Sequence, residues 1–188
     1  MSVSRRWTVA DLDEIEPVEG ERYEVIDGEL FVVKQPSWEH QNVCVSLGGL
    51  LERWSHESGR GVATAAPGVI FSFDSGVAPD LAWISRERLR GNRDRAGHFT
   101  IAPELVVELL SPGLANERRD REAKLALYSR EAVEEYWIVD WQQQTIDVYR
   151  RTGDALELAQ RLSGDAVLTT PLLPGFSVPI ARIWPPVL

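Results

Sequence analysis

Residues 103–140 read PELVVELLSPGLANERRDREAKLALYSREAVEEYWIVD. After Pro103, the mostly apolar run Glu104–Leu110 stops at Ser111-Pro112-Gly113, and its length and flanking prolines predict a buried strand. Asn116 to Arg130 is predicted as a helix of about four turns. Glu134–Asp140, with Tyr-Trp-Ile-Val inside it, is a second strand. Strand, helix and strand in this order make one parallel, right-handed crossover. That unit requires a mixed sheet with a helix packed on its face.

Working outward, both flanks add strands. Thr8 to Ile15 carries a Thr-x-x-Asp start, which suits a short capped helix. Arg22 to Val33 reads as two strands around Asp27-Gly28, a strong hairpin signal. Ser37 suits the N-cap of a helix from Trp38 to His56. There Val43, Leu47, Leu50, Leu51 and Trp54 recur at helical spacing, and Gly59 ends the run. Gly61–Phe73 and Val77–Ile84 flank Asp74-Ser75-Gly76 and read as a second hairpin. Arg86 to Gly97 is polar and arginine-rich, an exposed loop or short helix. Thr145–Arg150, Leu156–Leu162 and Val167–Thr170 suggest further strands, and Trp184–Leu188 an extended tail. The predicted class is α/β (α+β): a mixed central sheet flanked by helices, with an added N-terminal β-hairpin and C-terminal strands. We read it as a single domain, with a helix and hairpin over 7–36, an αβββαβ core over 37–141, and C-terminal strands and tail over 142–188.

Composition narrows the function. The chain has 188 residues, 44% hydrophobic and 26% charged, ordinary for a globular domain that buries roughly 70% of its unfolded surface. No run approaches the roughly 18 apolar residues a membrane helix needs. The opening Met-Ser-Val-Ser-Arg-Arg-Trp lacks the apolar core of a signal peptide. The single cysteine, Cys44, permits no internal disulfide, excludes cysteine-rich zinc sites and fits a reducing cytoplasm. A net charge of −9 argues against coating nucleic acid by bulk attraction. It leaves room for an enzyme whose acidic residues hold metal and whose basic residues act locally. Of the 20 basic residues only Lys34 and Lys124 are lysines, so either lysine raises a question of chemistry.

Three polar residues sit oddly for a purely structural reading. Asp80 follows Pro79 in a strand-like run ending Leu81-Ala-Trp-Ile84, where aspartate is disfavoured. Glu108 lies inside Leu105-Val-Val-Glu-Leu-Leu110, where a buried charge costs several kcal/mol unless paired or metal-bound. Lys124 shares a helical stripe with Asp120, Leu127 and Tyr128. As a compact ammonium it brings three donors to whatever it faces.

Pro79-Asp80, then Val107-Glu108 with Ser111-Pro112, then Asp120-Arg121 and Lys124 resemble the PD-(D/E)XK nuclease superfamily, and more closely its Uma-type restriction endonuclease branch. Arg22-Tyr-Glu24-Val-Ile-Asp-Gly28-Glu-Leu30, Pro36-Ser37 with His40, and Glu135-Tyr-Trp-Ile-Val-Asp140 agree, so the resemblance runs from about residue 7 to residue 180. It implies metal-dependent hydrolysis of DNA phosphodiesters on a restriction-endonuclease-like fold. Asp80 and Glu108 would be the ligands of Mg²⁺, with Mn²⁺ as a substitute, and Lys124 the catalytic lysine. The superfamily's usual lysine stands two residues after the second acid, where this chain has Leu110; the Uma-type branch supplies it from the following helix. The resemblance also implies a homodimer, two sites serving two strands. Magnesium prefers oxygen ligands and takes one or two carboxylates with water and phosphate, which Asp80 and Glu108 can provide. Glu24, on a strand beside Val25, is a candidate for a second metal or for positioning. His40 and Arg121 are candidates for phosphate contact.

Blander readings stand beside these. Asp80 also suits a strand-end cap, Glu108 a structural ion pair, and Lys124 a surface lysine. Glu24 suits a solubilising hairpin edge, His40 a capping role, and Asp140 a turn cap. Arg86, Arg88, Arg90, Arg93 and Arg95, and then Arg118, Arg119 and Arg121, form basic clusters that suit either phosphate contact or a solvated, salt-bridged face. A nuclease fold kept as a protein-binding or assembly module is the main alternative. A carboxylate-pair glycosidase is a weaker one, since it needs no Lys124. No Gly-x-Ser-x-Gly elbow and no phosphate loop occurs.

Overall fold

The computed structural model describes residues 5–186. Thr8 caps α1 (Val9–Leu12), its side chain and that of Asp11 closing a capping box. β1 (Glu21–Ile26) and β2 (Glu29–Lys34) form the first hairpin. Asp27 and Gly28 both take positive φ, 52° and 78°, which a two-residue turn of this kind requires. α2 (Trp38–Ser58) begins at Ser37, whose side chain accepts the His40 N–H, and ends at Gly59 with φ 66°. Then come β3 (Gly61–Ala65), β4 (Val69–Ser72), β5 (Ser75–Val77), β6 (Leu81–Ser85) and α3 (Arg86–Leu89). β7 (Leu105–Leu109) leads into α4 (Leu114–Arg118), a π-helical turn over Arg119–Lys124, and α5 (Leu125–Arg130). The chain closes with β8 (Glu135–Asp140), β9 (Thr145–Thr152), β10 (Ala155–Leu162), β11 (Val167–Thr169), β12 (Ser177–Pro179) and a 3-10 turn over Ile180–Arg182. The tail residues 187 and 188 lie outside the described residues.

The central sheet has six strands in the order β10-β9-β8-β7-β6-β3. β7 and β8 run parallel, as the crossover demands, and the other pairs are antiparallel. Side chains alternate across it. Leu105, Val107, Leu109, Trp137 and Val139 join Val43, Leu47 and Leu51 of α2 and the C-terminal Leu173, Phe176 and Ile183 in one core. Val106, Leu110, Tyr136 and Ile138 pack on the other face with Leu127 and Tyr128 of α5 and with Ile26, Val69 and Val77. Glu108 shares this second face. The architecture is the mixed α+β sheet expected.

Two expectations need correction. The second hairpin is split between two sheets. β3 and β6 pair in the central sheet, Gly61 opposite Ser85 and Ala65 opposite Leu81. β4 and β5 instead join β1 and β2 in a four-stranded sheet of order β2-β1-β5-β4. The chain turns out at Ala66, with φ 47°, followed by Pro67, and turns back through Pro79. Proline donates no N–H to a ladder, so both corners sit where pairing has to stop. The N-terminal hairpin is therefore an integral part of this second sheet through the β1–β5 pairing. The second correction concerns the long helix. It starts at Leu114 and widens into the π turn, within which the Asp120 carbonyl accepts a hydrogen bond from Tyr136 Oη at 3.0 Å.

Asp147 on β9 ties the helix to the sheet. It accepts from Arg121 Nη1 at 2.8 Å and from Arg161 Nη2 at 2.7 Å. Burial opposes its charge, but the bonds from Arg161 and Arg121 prevail and hold its carboxyl below the usual range. A lowered folded pKa stabilises above the unfolded value of about 3.9 and is lost as pH falls through the folded value. Asp147→Asn is expected to lower stability at pH 7, with the gap to wild type closing below about pH 4 in denaturant titrations; a pH-independent gap contradicts this account. A second test is steric. A Cβ on Gly61 would lie 2.4 Å from the Trp83 ring and 2.5 Å from the Ile84 carbonyl oxygen. Gly61→Ala is expected to cost about 1–3 kcal/mol, and an unchanged unfolding midpoint contradicts the packing.

Candidate functional site

Glu24, His40, Asp80, Glu108 and Lys124 line one cleft. Each is delivered by a different piece of the fold: β1, the first turn of α2, the corner before β6, β7, and the last residue of the π turn. Asp80 stands where the chain returns to the central sheet, its carbonyl accepting the Ala66 N–H at 3.0 Å. Its carboxylate accepts the Leu109 N–H at 2.8 Å. His40 Nε2 lies 3.2 Å from the same Asp80 oxygen. Burial works against the Asp80 charge, yet His40 and the Leu109 N–H together hold its pKa below the ordinary value.

The centre of the cleft is an ion cluster. Lys124 Nζ donates to Glu108 Oε1 at 2.8 Å and to Glu24 Oε1 at 3.1 Å. Glu24 Oε2 is 3.0 Å from the ammonium as a charge contact but has no well-directed hydrogen bond. Glu24 Oε1 also accepts the Ala78 N–H at 2.8 Å. Tyr128 Oη donates to Glu108 Oε1 at 2.8 Å. Lys124 is 1% exposed and Glu108 2%, so neither charge leans on solvent. Burial pushes Glu108 up to about 8; Lys124 pulls it down, and Asp80, Asp120 and Glu24 add to the rise. Burial disfavours the Lys124 charge, but Glu108 and Glu24 outweigh it and raise its pKa.

A further pair backs this centre. Asp120, fully buried, accepts from Arg119 Nε at 2.8 Å and from Nη2 at 3.1 Å. Four carboxylates, those of Glu24, Asp80, Glu108 and Asp120, thus surround the Lys124 and Arg119 cations. When all are ionised, these buried groups alone carry two more negative charges than positive ones, while the exposed Arg22 and Lys34 stand at the rim of the same cleft. The cleft leaves about 30 Å³ for water or an ion, more than one water needs. This charge excess and oxygen-rich lining fit a divalent cation. Behind His40, the Cys44 Sγ lies 3.8 Å from Nδ1. Among the described residues, His40, Cys44 and Asp80 form a group whose ligand atoms all fall within 4.8 Å of one another. Burial, with Asp80 and Glu108, pushes the Cys44 thiol far up, so it stands there as a neutral thiol.

Arg121 is not brought to the cleft; it is the strut to Asp147 described above. Arg119 stood in the sequence only as one of a basic cluster suited either to phosphate contact or to a solvated face, whereas it is 6% exposed and lines the cleft. In an ordinary helix, five residues carry Arg119 about 140° away from Lys124; the π turn brings it round to the same side. Tyr128 appeared only as an apolar member of the stripe, and no sequence signal marks its bond to Glu108. Asp140 caps the following turn, accepting the Gln143 N–H at 2.9 Å.

The solved structures include a similar one, "a putative nuclease belonging to DUF820" from Anabaena variabilis ATCC 29413. The two share 18% identity and a TM-score of 0.76, over 94% of this chain and 97% of that one. At this identity the likeness shows the fold. No curated protein matches. The family model described as Uma2, "putative restriction endonuclease", matches residues 9–181, nearly the whole chain and every residue of the cleft, and the chain belongs to that family.

Proposed function

We propose that the protein is a metal-dependent endonuclease that hydrolyses DNA phosphodiester bonds at this cleft. The observation that carries the reading is the gathering of buried carboxylates around one buried lysine, in a cleft with room for an ion. Asp80 and Glu108 would hold Mg²⁺, and the His40 nitrogen beside Asp80 makes Mn²⁺ a suitable substitute. A cation bound there supplies charge neutralisation of the phosphate and a more acidic water.

The chain's own groups do the rest. Lys124 stays protonated in its carboxylate cage and offers donors to the attacking water or to the charge that builds on phosphorus. Glu24 aims that ammonium, and its anchor on the Ala78 N–H stops it from following the lysine. Tyr128 fixes the Glu108 oxygen, and His40 fixes Asp80. A homodimer would set two such sites against two strands. A reducing cytoplasm suits the single free Cys44, and no helix among the described residues is long and apolar enough to cross a membrane.

Cleavage of supercoiled plasmid with Mg²⁺ or Mn²⁺ tests the reading. Wild type is expected to nick the plasmid only with metal. Asp80→Asn and Lys124→Ala are expected to lose at least about 100-fold in rate, the scale of one lost electrostatic stabiliser. Because breaking a buried pair costs about 3–5 kcal/mol, circular dichroism should accompany Lys124→Ala, and near-isosteric Asp80→Asn decides if that variant unfolds. Equal cutting by all three sinks the assignment of the site.

A further inference from the structure

The chain's two lysines both line this cleft. Lys124 is at its floor; Lys34, the last residue of β2, is at its exposed rim. Arg22 is the second basic residue there, exposed on β1 two positions before Glu24 and so on the same face of the strand. The hairpin register sets Arg22 opposite Val33 and Lys34 opposite Glu21. Glu21 is the obvious partner for Lys34, but its carboxylate accepts from Tyr23 Oη at 3.0 Å. Among the described residues, neither Arg22 nor Lys34 forms an ion pair. The cleft's other cations are spent: Arg119 on Asp120, Lys124 on Glu24 and Glu108.

Two cations without an ion pair among the described residues, at the mouth of an acidic cleft in a chain of net charge −9, are placed to meet an anion that enters there. An acidic protein that takes a polyanion must offset its own repulsion where the ligand enters. We propose that Arg22 and Lys34 grip the backbone phosphates beside the one in the cleft, which makes the β1–β2 hairpin the wall along which the nucleic-acid strand lies. This rests on the nuclease reading and names the residues that hold its substrate. Arg22 has the planar fork that suits a phosphate in two-point contact, while Lys34 acts as a mobile point charge.

The test is fluorescence anisotropy of a labelled DNA duplex, with Ca²⁺ replacing Mg²⁺, as a function of salt. Wild type is compared with the Arg22→Ala/Lys34→Ala double variant, with Lys34→Arg, and with Arg53→Ala, which removes a charge about 20 Å along α2 from His40. All substitutions are at exposed positions, so melting temperatures serve as a check on folding. The double variant is expected to bind on the order of ten- to a hundredfold more weakly near 0.1 M salt, with a salt slope smaller by about 2. Lys34→Arg and Arg53→Ala should keep the wild-type slope. If wild type binds and the double variant binds equally with the same slope, the grip is wrong and the nuclease reading stands. If wild type neither binds the duplex nor cuts plasmid, the nuclease reading fails and takes the grip with it.

Discussion

The buried ammonium of Lys124 is the constraint on which the rest depends. It bonds Glu108 on the central sheet and Glu24 on the hairpin sheet, so one charge joins three separate pieces of the fold. Burying such a group is expensive, and a paired charge in a protein interior seldom gains more than it costs. Hydrophobic residues of the same volume would stabilise the junction as well or better. A lysine kept there, in a chain that otherwise uses arginine, is better explained by chemistry than by stability. The arrangement also explains the integral hairpin: the β1–β5 pairing sets Glu24 beside Ala78, whose N–H its carboxylate accepts.

Around that ammonium the fold collects more negative charge than it cancels. Glu108 and Asp120 are both pushed up by burial and by neighbouring carboxylates, which is strain of an electrostatic kind. Arg119 relieves part of it from behind. A divalent ion beside Asp80 and Glu108 would relieve more of it and favour the ionised Glu108. At the opening of the cleft stand the exposed Arg22 and Lys34, which form no ion pair among the described residues. Floor and rim thus carry opposite signs, the polarity expected of a site that takes a cation first and a polyanion with it.

Much of this was legible in the sequence, for identifiable reasons. The β7–helix–β8 unit follows from local periodicity, and the apolar, strand-like surroundings of Asp80 and Glu108 marked them as out of place, although Asp80 stands at the corner just before β6. Lys124 stood out by rarity. What could not be read were non-local decisions. Which sheet β4 and β5 would join depends on β1 offering a free edge, a fact about partners far away in sequence. The π turn adds a residue that α-periodicity cannot anticipate, so Arg119 was read only within a basic cluster suited to phosphate or solvent and Arg121 as a phosphate contact, when the first is buried on Asp120 and the second braces Asp147.

The most direct measurement is anomalous diffraction from crystals soaked in Mn²⁺. The account predicts a single strong peak within coordinating distance of the Asp80 and Glu108 carboxylates, beside His40 and Lys124. A saturating soak that leaves this position without a peak, or places the ion elsewhere, would contradict it.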